Sequence, residues 1–548
     1  MEQRNLFAAI FLTILVYVGW FYVFPPKKQP VEPAVKESSV QTAEQTPAAD
    51  TPAASFDRGT ELSAIQPSAD EKIIHVETPL YKAEFSSRGG VIKQLHLKKF
   101  RENNRKDSGL KYLIDRKVAN GTYAVTFENP SLKGLDSANF SLDGATDLQV
   151  SDKNQQLRFA WKSDKGLIVE KVFDFSPVSY QIGLNVRIKN GTGDVFKDNA
   201  TVQLQNKIID KSNIAFVGPS FYMAKEMIEV PPGDIKNENR FKGSINWLAI
   251  QDRYFIMSLI PKSVGESDVH LTYDEKTEII GTNLTMNTGE IVPGAVKELN
   301  YGIYAGPKNA SALKNIGNDM DKVIDFGMFD VLAKPCLYLM NLIHDHVIKN
   351  YGVAIILLTI LFKLILWPLG TKSYKSMNDM KKLQPLVNEI RQKHASNKQK
   401  MNEEMMNLYK TYKVNPLSGC LPLLVQMPIF FAFYKMLYSA IELRHAPFFG
   451  WIHDLSAPDR LFNFSFVIPY FEPPTGIPVL TLLMGGSMFL QQKMSPPAGD
   501  PAQAKMMMLM PLFMTFIFLN FSSGLVLYWL VNNIVSIIQQ YYIMKKYA

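Results

Sequence analysis

The feature that most constrains this chain is an apolar run from Gly352 to Leu369, GVAIILLTILFKLILWPL, interrupted by Thr359 and by one charged residue, Lys363. A helix needs ~20 apolar residues, each rising ~1.5 Å, to cross the hydrocarbon core of a bilayer. A charge deep in such a helix costs roughly 2.5 to 3.5 kcal/mol on insertion scales. The run therefore predicts a transmembrane helix whose lysine faces protein or a water-filled cavity.

Composition divides the rest of the chain into two kinds of region. Residues 25–325 have the composition of a soluble protein, whereas the C-terminal part is densely apolar. The net charge of +8 could indicate nucleic acid as a partner, but the lysines cluster beside hydrophobic segments, where membrane topology explains them better. Both cysteines, Cys336 and Cys420, lie outside residues 25–325, so cysteine usage leaves the compartment of that region open.

The first 55 residues predict a membrane anchor and a tether. Leu6 to Phe24 form an apolar run with Arg4 before it and two prolines after it. No small-residue cleavage site follows closely, so residues 1–24 are predicted to be an uncleaved transmembrane anchor, with a cleaved signal peptide as the alternative. Residues 25–55, rich in Pro, Ala, Glu, Gln, Ser and Thr, predict a flexible linker.

Residues 56–325 predict a large all-β domain. Segments such as TYAVTFEN and SYQIGLNVRIKNGTG alternate apolar and polar residues and are separated by turn signals such as Asn190-Gly191. This pattern is typical of an antiparallel sandwich. The region contains no nucleotide-binding loop, metal-ligand cluster or nucleophile motif, and its histidines are scattered singly. We therefore predict that these histidines are ordinary surface or structural residues.

The C-terminal part predicts five further transmembrane helices and a cytoplasmic hairpin. Before the Lys363 helix, residues 326–349 predict an interfacial amphipathic helix, with a core helix as the alternative. After it, two basic helical patterns predict an antiparallel hairpin whose first helix is bent at Pro385. The predicted order is a transmembrane helix at 350–369, the hairpin at 370–416, a transmembrane helix at 417–440, a loop at 441–476, a transmembrane helix at 477–492, a loop at 493–504, transmembrane helices at 505–521 and 525–543, and a tail at 544–548.

The charges of the loops give these helices a direction. The hairpin and the tail are basic and the 493–505 loop carries Lys493 and Lys505, whereas the 441–476 loop carries more acidic than basic residues. Basic loops stay on the cytoplasmic side of a membrane. Six transmembrane helices with both termini and the hairpin in the cytoplasm are therefore predicted. The β-domain is then outside, in the periplasm if the cell has two membranes.

Polar residues of the predicted helices gather around Lys363. Thr359 lies one turn away on the same helix face, and Gln426 lies near the cytoplasmic end of its own helix. The last helix adds a stripe at i, i+4, i+7 and i+11: Trp529, Asn533, Ser536 and Gln540. These groups predict a wet pocket open to the cytoplasm. The alternative is that they only form hydrogen bonds between helices, each contributing about 0.6 kcal/mol.

Methionine is frequent in the same region, with 24 in the whole chain. Flexible thioethers suit surfaces that accept many apolar partners, although plain core packing is the alternative. Two groups stand out: Met506, Met507, Met508, Met510 and Met514 near the start of the fifth helix, and Met377, Met380, Met401, Met405 and Met406 on the hairpin.

Four segments of the C-terminal part resemble one known family closely and in the same order. They are LQPLVNEIRQKH, VNPLSGCLPLLVQMPIFFAFYKML, IELRHAPFFGWIHDLSAPD and SGLVLYWLVNNIVSIIQQ. They resemble the YidC/Oxa/Alb family of membrane-protein insertases, and the layout resembles its Gram-negative type. The resemblance implies an α-helical polytopic membrane protein with a five-helix insertase core and a large periplasmic all-β supersandwich domain.

The resemblance also implies a function and partners. The expected function is that of a membrane-protein insertase and chaperone, not an enzyme, acting alone or beside the Sec translocon without cofactor, metal or nucleotide hydrolysis. The implied partners are nascent membrane proteins, the Sec translocon, the ribosome and membrane lipid, with no small-molecule substrate. The family's charged groove residue falls on Lys363, where members usually have arginine; lysine keeps the charge but loses the planar guanidinium fork. Thr359 and Trp529 match groove positions that the family ties to activity.

Together these inferences give one hypothesis. The hydrophilic, often acidic terminus of an incoming chain is held near Lys363, which lowers the cost of taking polar groups into the membrane. The predicted groove is Lys363, Thr359, Trp529, Gln426, Asn533 and Ser536. An apolar segment then slides into lipid past Pro428, Phe430, Met507, Met510 and Met514. The predicted hairpin contacts for substrate or ribosome are Lys381, Lys382, Met401 and Met405.

Two alternatives come from other functional classes. A proton- or anion-coupled transporter could use Lys363, but no internal repeat and no second intramembrane charge supports it. A membrane-tethered periplasmic enzyme that processes carbohydrate would need paired carboxylates in a cleft of the sandwich, which the sequence does not display.

Overall fold

The computed structural model describes residues 70–104, 108–118, 120–208, 215–236, 239–263, 265–412, 414, 421–462, 464, 466, 469–471, 475–495 and 501–547. These residues form two compact units that divide between Val323 and Ile324. The predicted anchor at 1–24, the linker at 25–55 and the start of the β-domain lie outside the described residues.

The first unit is built from strands. They are β1 Ile73–Glu77, β2 Tyr81–Ser86, β3 Val91–Arg101, β4 Leu110–Ile114, β5 Ala124–Phe127, β6 Ser141–Asp143, β7 Asp147–Gln149, β8 Gln155–Lys162, β9 Leu167–Phe175, β10 Gln181–Asn190, β11 Phe196–Lys207, β12 Gly218–Met223, β13 Glu226–Glu229, β14 Arg240–Gln251, β15 Phe255–Pro261, β16 Glu266–Asp274, β17 Ile279–Ile291 and β18 Val296–Pro307. A short helix, α1 Ala310–Ile316, follows them.

The strands form two sheets. A five-stranded sheet has the order β4-β3-β2-β1-β7, and a thirteen-stranded sheet has the order β5-β11-β17-β16-β14-β15-β18-β10-β9-β8-β6, with β12 attached to β14 and β13 attached to β12. Among the paired strands that the structure describes, β1 and β7 are parallel and the others antiparallel. In β10, Ile182, Leu184, Val186 and Ile188 are buried and alternate with half-exposed or exposed residues, as expected when one face of a sheet covers a core. The predicted antiparallel sandwich is confirmed.

The turn at Asn190-Gly191 does not join neighbouring strands. β10 pairs with β9 and β18, whereas β11 pairs with β5 and β17. The buried Asn190 amide donates instead to the carbonyl oxygens of Asp194 and Ile291, both at 2.7 Å. A turn signal reports local backbone conformation, so it identified the end of β10 but not the partner of the strand that follows.

The second unit is helical in the residues that the structure describes. Its helices are α2 Asp330–His346, α3 Tyr351–Ile365, α4 Trp367–Lys382, α5 Gln384–Lys393, α6 Lys398–Thr411, α7 Leu421–Ser439, α8 Val479–Met494, α9 Pro501–Ile517 and α10 Ser523–Lys546. α10 is central and packs against α3, α4, α7 and α8, while α9 packs on α8. Among the described residues, no single helix is both long enough and apolar enough to cross a membrane. α3 and α4 together meet that requirement, with a bend of 65° between them.

The segment predicted as one helix at 350–369 is divided in the structure. α3 ends at Ile365, and Pro368 lies in the first turn of α4. Because proline has no N–H, the carbonyl of Leu364 cannot receive its usual bond from residue 368. The N–H of Leu366 donates to the carbonyl of Phe362 at 3.0 Å and closes the last turn of α3. The chain therefore turns at Leu366, and Trp367 begins the next helix.

The region predicted as a two-helix hairpin at 370–416 contains three helices. The chain breaks again after Lys382, where Pro385 lies in the first turn of α5. α4 packs along α10, while α5 and α6 pack against each other. The hairpin is therefore α5 and α6, and α4 belongs with the central helix, because each proline ends the helix before it.

The predicted interfacial helix is α2, which has two apolar faces. Ala333, Cys336, Leu337 and Met340 are buried, and α2 packs against α3 and α7. Its other side exposes three large apolar residues: Val331, Tyr338 and Leu342.

The 441–476 loop fastens the ends of several helices. The buried Asp459 carboxylate accepts the N–H of Leu480 at 2.7 Å and the hydroxyl of Thr481 at 2.8 Å, which caps the start of α8. The neighbouring Arg460 donates to the carbonyl of Leu519 at 2.9 Å and to Oδ1 of Asn520 at 3.1 Å. Helix ends that are tied in this way give the bundle a rigid frame on one side.

Candidate substrate groove

Lys363 lies in the last turn of α3 and bonds to two other helices. Its Nζ donates to Oγ of Ser536 on α10 at 2.7 Å and to Oε1 of Gln426 on α7 at 3.4 Å. The Ser536 hydroxyl donates to the carbonyl of Asn532 at 2.7 Å, and Nε2 of Gln426 donates to Oδ1 of Asn532 at 2.6 Å. These four residues are one connected network, the polar cluster.

The polar cluster offers the ammonium neutral acceptors. In the part of the chain that the structure describes, Lys363 forms no ion pair, and its partners are a hydroxyl and an amide. These two contacts use two of the three donors of an ammonium group. The side chain is half-buried rather than enclosed. The cluster can therefore hold a positive charge in place without cancelling it.

An aromatic layer lies one helical turn before the polar cluster along α10. The Trp529 ring meets Phe430 edge-on, with centroids 4.6 Å apart, and meets Phe518 at 5.1 Å. Tyr528 stacks on Phe433 at 4.7 Å. These rings bound the polar cluster with apolar surface on that side, so polar groups reach Lys363 from another direction.

The other predicted groove residues make contacts outside the polar cluster. The hydroxyl of buried Thr359 donates to the carbonyl of Ile355 in its own helix at 2.6 Å. The amide of buried Asn533 donates to Oγ of Ser487 on α8 at 3.0 Å. Trp529 belongs to the aromatic layer. The structure thus brings half of the predicted groove residues together and places the other half against their own or neighbouring helices.

Sequence reasoning missed three residues near Lys363. Asn532 joins the polar cluster, Tyr374 on α4 lies beside Ser536, and Gln539 donates from α10 to the carbonyl of Trp367 at 2.9 Å. A signal for two of them was present, since residues 532, 536 and 539 recur at i, i+4 and i+7. That stripe shares Ser536 with the stripe we predicted and differs from it by one residue, or ~100° of rotation, at its other two positions.

The helical unit buries polar side chains of α10 beside its apolar core and leaves many large apolar side chains exposed. α10 buries Asn533, Ser536, Gln539 and Gln540. Large apolar side chains are exposed on several helices: Leu364 and Ile365 on α3, Leu482 and Leu483 on α8, Met506, Leu509, Leu512 and Phe513 on α9, and Ile534 and Ile538 on α10. Exposed apolar area of this extent marks a surface that contacts lipid or another protein. Polar groups between helices then bond to one another, as they do in a membrane.

The predicted apolar path has an exposed part and a packed part. On α9, Met510 is 56% exposed and Met507 36%, while Met514 packs against the apolar core of the unit. Pro428 and Phe430 are half-buried on α7. The predicted apolar path therefore combines the accessible thioethers of Met507 and Met510 with the ring of Phe430, which packs in the aromatic layer.

The predicted hairpin contacts divide between two helices. Lys381 and Lys382 are exposed at the end of α4, and Nζ of Lys382 donates to the carbonyl of Tyr547 at 2.9 Å. Met401 and Met405 are half-buried on α6. No described set of three His, Cys, Asp or Glu side chains could hold a metal ion.

Comparisons with known proteins cover the whole chain. A family model described as 60Kd inner membrane protein matches residues 342–548, and one described as YidC periplasmic domain matches residues 73–339. Membrane protein insertase YidC of Syntrophus aciditrophicus is 37% identical over 563 aligned positions, which cover 100% of both chains. The protein of the same name from Geobacter metallireducens is 37% identical, covering 100% of this chain and 99% of its own.

A solved structure is also similar. A crystal structure described as an active YidC insertase with the first transmembrane domain resolved covers 87% of this chain and 94% of its own, with 20% identity and a TM-score of 0.39. The full-length relatives and the two family models confirm the resemblance inferred from the four sequence segments. The chain therefore belongs to the YidC family of membrane-protein insertases, which are bacterial inner-membrane proteins with a periplasmic domain.

Proposed function

We propose that this chain inserts, folds and assembles inner-membrane proteins through a hydrophilic groove centred on the polar cluster. The groove opens to the cytoplasm and the inner leaflet, and it receives the short hydrophilic terminus of a client chain. The work is done by binding, without nucleotide hydrolysis, in keeping with a family of insertases rather than of catalytic enzymes.

One observation carries the proposal: the Lys363 ammonium is held among helices by neutral groups. A positive charge in this setting has lost much of its hydration and gained no counter-charge, so it remains costly. An acidic client terminus would supply the missing negative charge and the further acceptors. Its binding lowers the free energy of both charged groups, which is the condition for drawing a polar segment into the membrane.

The partners of Lys363 are side chains that a client can displace reversibly. The Ser536 hydroxyl and the Gln426 amide belong to side chains, which can rotate to accept or donate bonds to client backbone groups. Such bonds matter because an unpaired backbone N–H or C=O in lipid costs several kcal/mol. The client's apolar segment then moves past Pro428, Phe430 and the α9 methionines into lipid.

The wider arrangement follows from the sequence and the family. We assign six transmembrane helices, with both termini and the α5–α6 hairpin in the cytoplasm and the β-domain in the periplasm. Lys381, Lys382 and the hairpin methionines receive clients or the ribosome, and the chain works alone or beside the Sec translocon. The support is the basic charge of the hairpin and tail and the exposed apolar surface of α3, α8, α9 and α10.

The test compares Lys363→Ala and Lys363→Arg in proteoliposomes that contain the full chain. Clients are single-span proteins with an acidic terminus or with that terminus neutralised by Asn and Gln, and protease protection measures insertion. Lys363→Ala should slow insertion of the acidic client by about tenfold, equivalent to ~1.4 kcal/mol, and barely affect the neutral one. Lys363→Arg should retain activity because it keeps the charge.

The matched control is Lys435→Ala, since Lys435 is another half-buried lysine of this unit, on α7. It should insert both clients at the normal rate. If Lys363→Ala handles the acidic client as well as the unmodified chain does, the proposed role of the groove charge is wrong.

A further inference from the structure

α10 and the α3–α4 pair run side by side in one register. Lys363 meets Ser536, and Trp367 meets Gln539 one turn further along both helices. At the far end, Nδ2 of Asn378 donates to the carbonyl of Tyr547 at 3.0 Å. The polar cluster is thus one of several polar contacts between these elements, and the contacts of Gln539 and Tyr547 lie beyond the bend at Leu366.

The middle contact is unusually close. Gln539 is buried, and its Nε2 donates to the carbonyl of Trp367 at 2.9 Å and lies 3.5 Å from Oγ1 of Thr371. A Cβ atom on Gly370 would lie 2.8 Å from that Nε2 and 2.9 Å from Oε1, closer than real Cβ contacts. Only glycine at position 370 therefore leaves Gln539 in this place without displacing it.

This contact lies beside the bend between α3 and α4, where the helix lacks a backbone hydrogen bond. Pro368 donates no hydrogen bond, and α3 and α4 meet at 65° around Leu366. A bend with missing backbone bonds can change its angle unless other groups hold it. Lys363 lies one turn before the bend, so a change of angle moves its ammonium relative to Ser536 and Gln426.

We propose that Gln539, seated against Gly370, is a positioning residue for insertion. It clamps α4 to α10 and so fixes the bend that keeps the Lys363 ammonium in the polar cluster. The inference rests on the proposed function for its effect on insertion, but the bend itself is measurable without it. Gln539 does not contact the client; it acts through the position of Lys363.

The first measurement is the distance between spin labels at Leu357 on α3 and Lys381 on α4, both exposed, in a full chain whose two native cysteines are alanine. Gln539→Leu and Gly370→Ala should lengthen or broaden this distance. Complete straightening would add about 5 Å, given ~1.5 Å of rise per residue. Gly486→Ala is the matched glycine control because a Cβ there meets nothing within 4 Å, and Gln392→Leu is the exposed glutamine control. Both controls should leave the distance unchanged.

The second measurement is insertion of the acidic and neutral clients. Gln539→Leu should slow the acidic client about fivefold, spare the neutral one, and add little in a Lys363→Ala background. Adding Gly370→Ala to Gln539→Leu should slow insertion little further, because both substitutions disrupt the same contact between Gln539 and α4. General damage to the fold would instead slow both clients and add to Lys363→Ala.

The outcomes separate this inference from the proposed function. An unchanged label distance in Gln539→Leu, or equal slowing of both clients, overturns the positioning role. Normal insertion of the acidic client by Lys363→Ala overturns the proposed function. In that case the label distance still tests whether Gln539 fixes the bend between α3 and α4.

Discussion

The two units each remove a lysine from water, and the comparison shows how differently a fold can do this. Lys171 on β9 is fully buried, and its Nζ donates to the carbonyl oxygens of Tyr123 at 2.9 Å and Gly89 at 3.2 Å. Lys363 is half-buried, and its partners are the side chains of Ser536 and Gln426. Neither lysine forms an ion pair within the described residues.

The difference lies in whether the partners can be exchanged. Backbone carbonyls at fixed positions of a sandwich cannot leave, so Lys171 is closed to any ligand. Its burial lowers the pKa of the ammonium to about 7, because desolvation disfavours the charged form. Side-chain partners can rotate away from Lys363, and the half-open setting gives a client access. A buried lysine therefore indicates a binding site only where its acceptors are replaceable.

The largest effect expected from this comparison is a reversal of client preference in Lys363→Glu. A carboxylate in the polar cluster repels an acidic terminus and attracts a basic one. In proteoliposomes without a membrane potential, insertion of an acidic client should fall about 100-fold, close to 2.7 kcal/mol, while a lysine-tailed client should gain. Lys435→Glu is the matched control. Equal losses for both clients would mean damage to the helices rather than a changed preference.

A smaller effect is expected from pH on the β-domain. The Lys171 pKa is about 7 in the folded state and 10.5 when unperturbed, so between these values the unfolded chain binds more protons. The free energy of unfolding should therefore rise with pH by up to ~1.4 kcal/mol per pH unit over this interval, and the contribution should be flat below pH 7. Pulse proteolysis of the full chain in urea, at pH 7.5 and 9.5, measures the change.

Variants isolate the contribution of Lys171 from other titrating groups. Lys171→Met should lose this part of the pH dependence, while Lys165→Met, at an exposed turn, should keep it. The same pH dependence in Lys171→Met and in the unmodified chain would show that the buried amine is not its source.

The smallest effect is expected on the apolar path. Met510→Ser, on the face of α9 shared with Met507 and Met514, should slow insertion of a client with a neutral terminus about two- to threefold, since one thioether contact is lost. Leu512→Ser, on the opposite face and 70% exposed, should leave the rate nearly unchanged. If both variants slow insertion equally, the apolar path has no preferred face on α9.

The polar residues of α10 show how far sequence reasoning reached. The stripe through Trp529, Asn533, Ser536 and Gln540 identified the correct helix and one partner of Lys363. Neighbouring positions on a helix differ by ~100°, and a helix packed on several sides has no single inward face to fix its rotation. Asn532 therefore entered the polar cluster unforeseen, while Asn533 bonds to α8. Lys171 was foreseeable in part, because it lies at the same two-residue spacing as Leu167, Val169 and Phe173, on the inward face of β9.

The sequence by itself determined the family, the strand-rich and helix-rich regions, and the isolated position of Lys363, because hydrophobic periodicity and charge placement are local properties of the chain. The tertiary structure alone decided the sheet order, the packing of α4 along α10 and the seating of Gln539 against Gly370. Those features depend on contacts between residues far apart in sequence, such as 367 with 539, which no local pattern encodes. The lysine that dominates the sequence becomes a candidate binding site only through partners that arrive from α7 and α10.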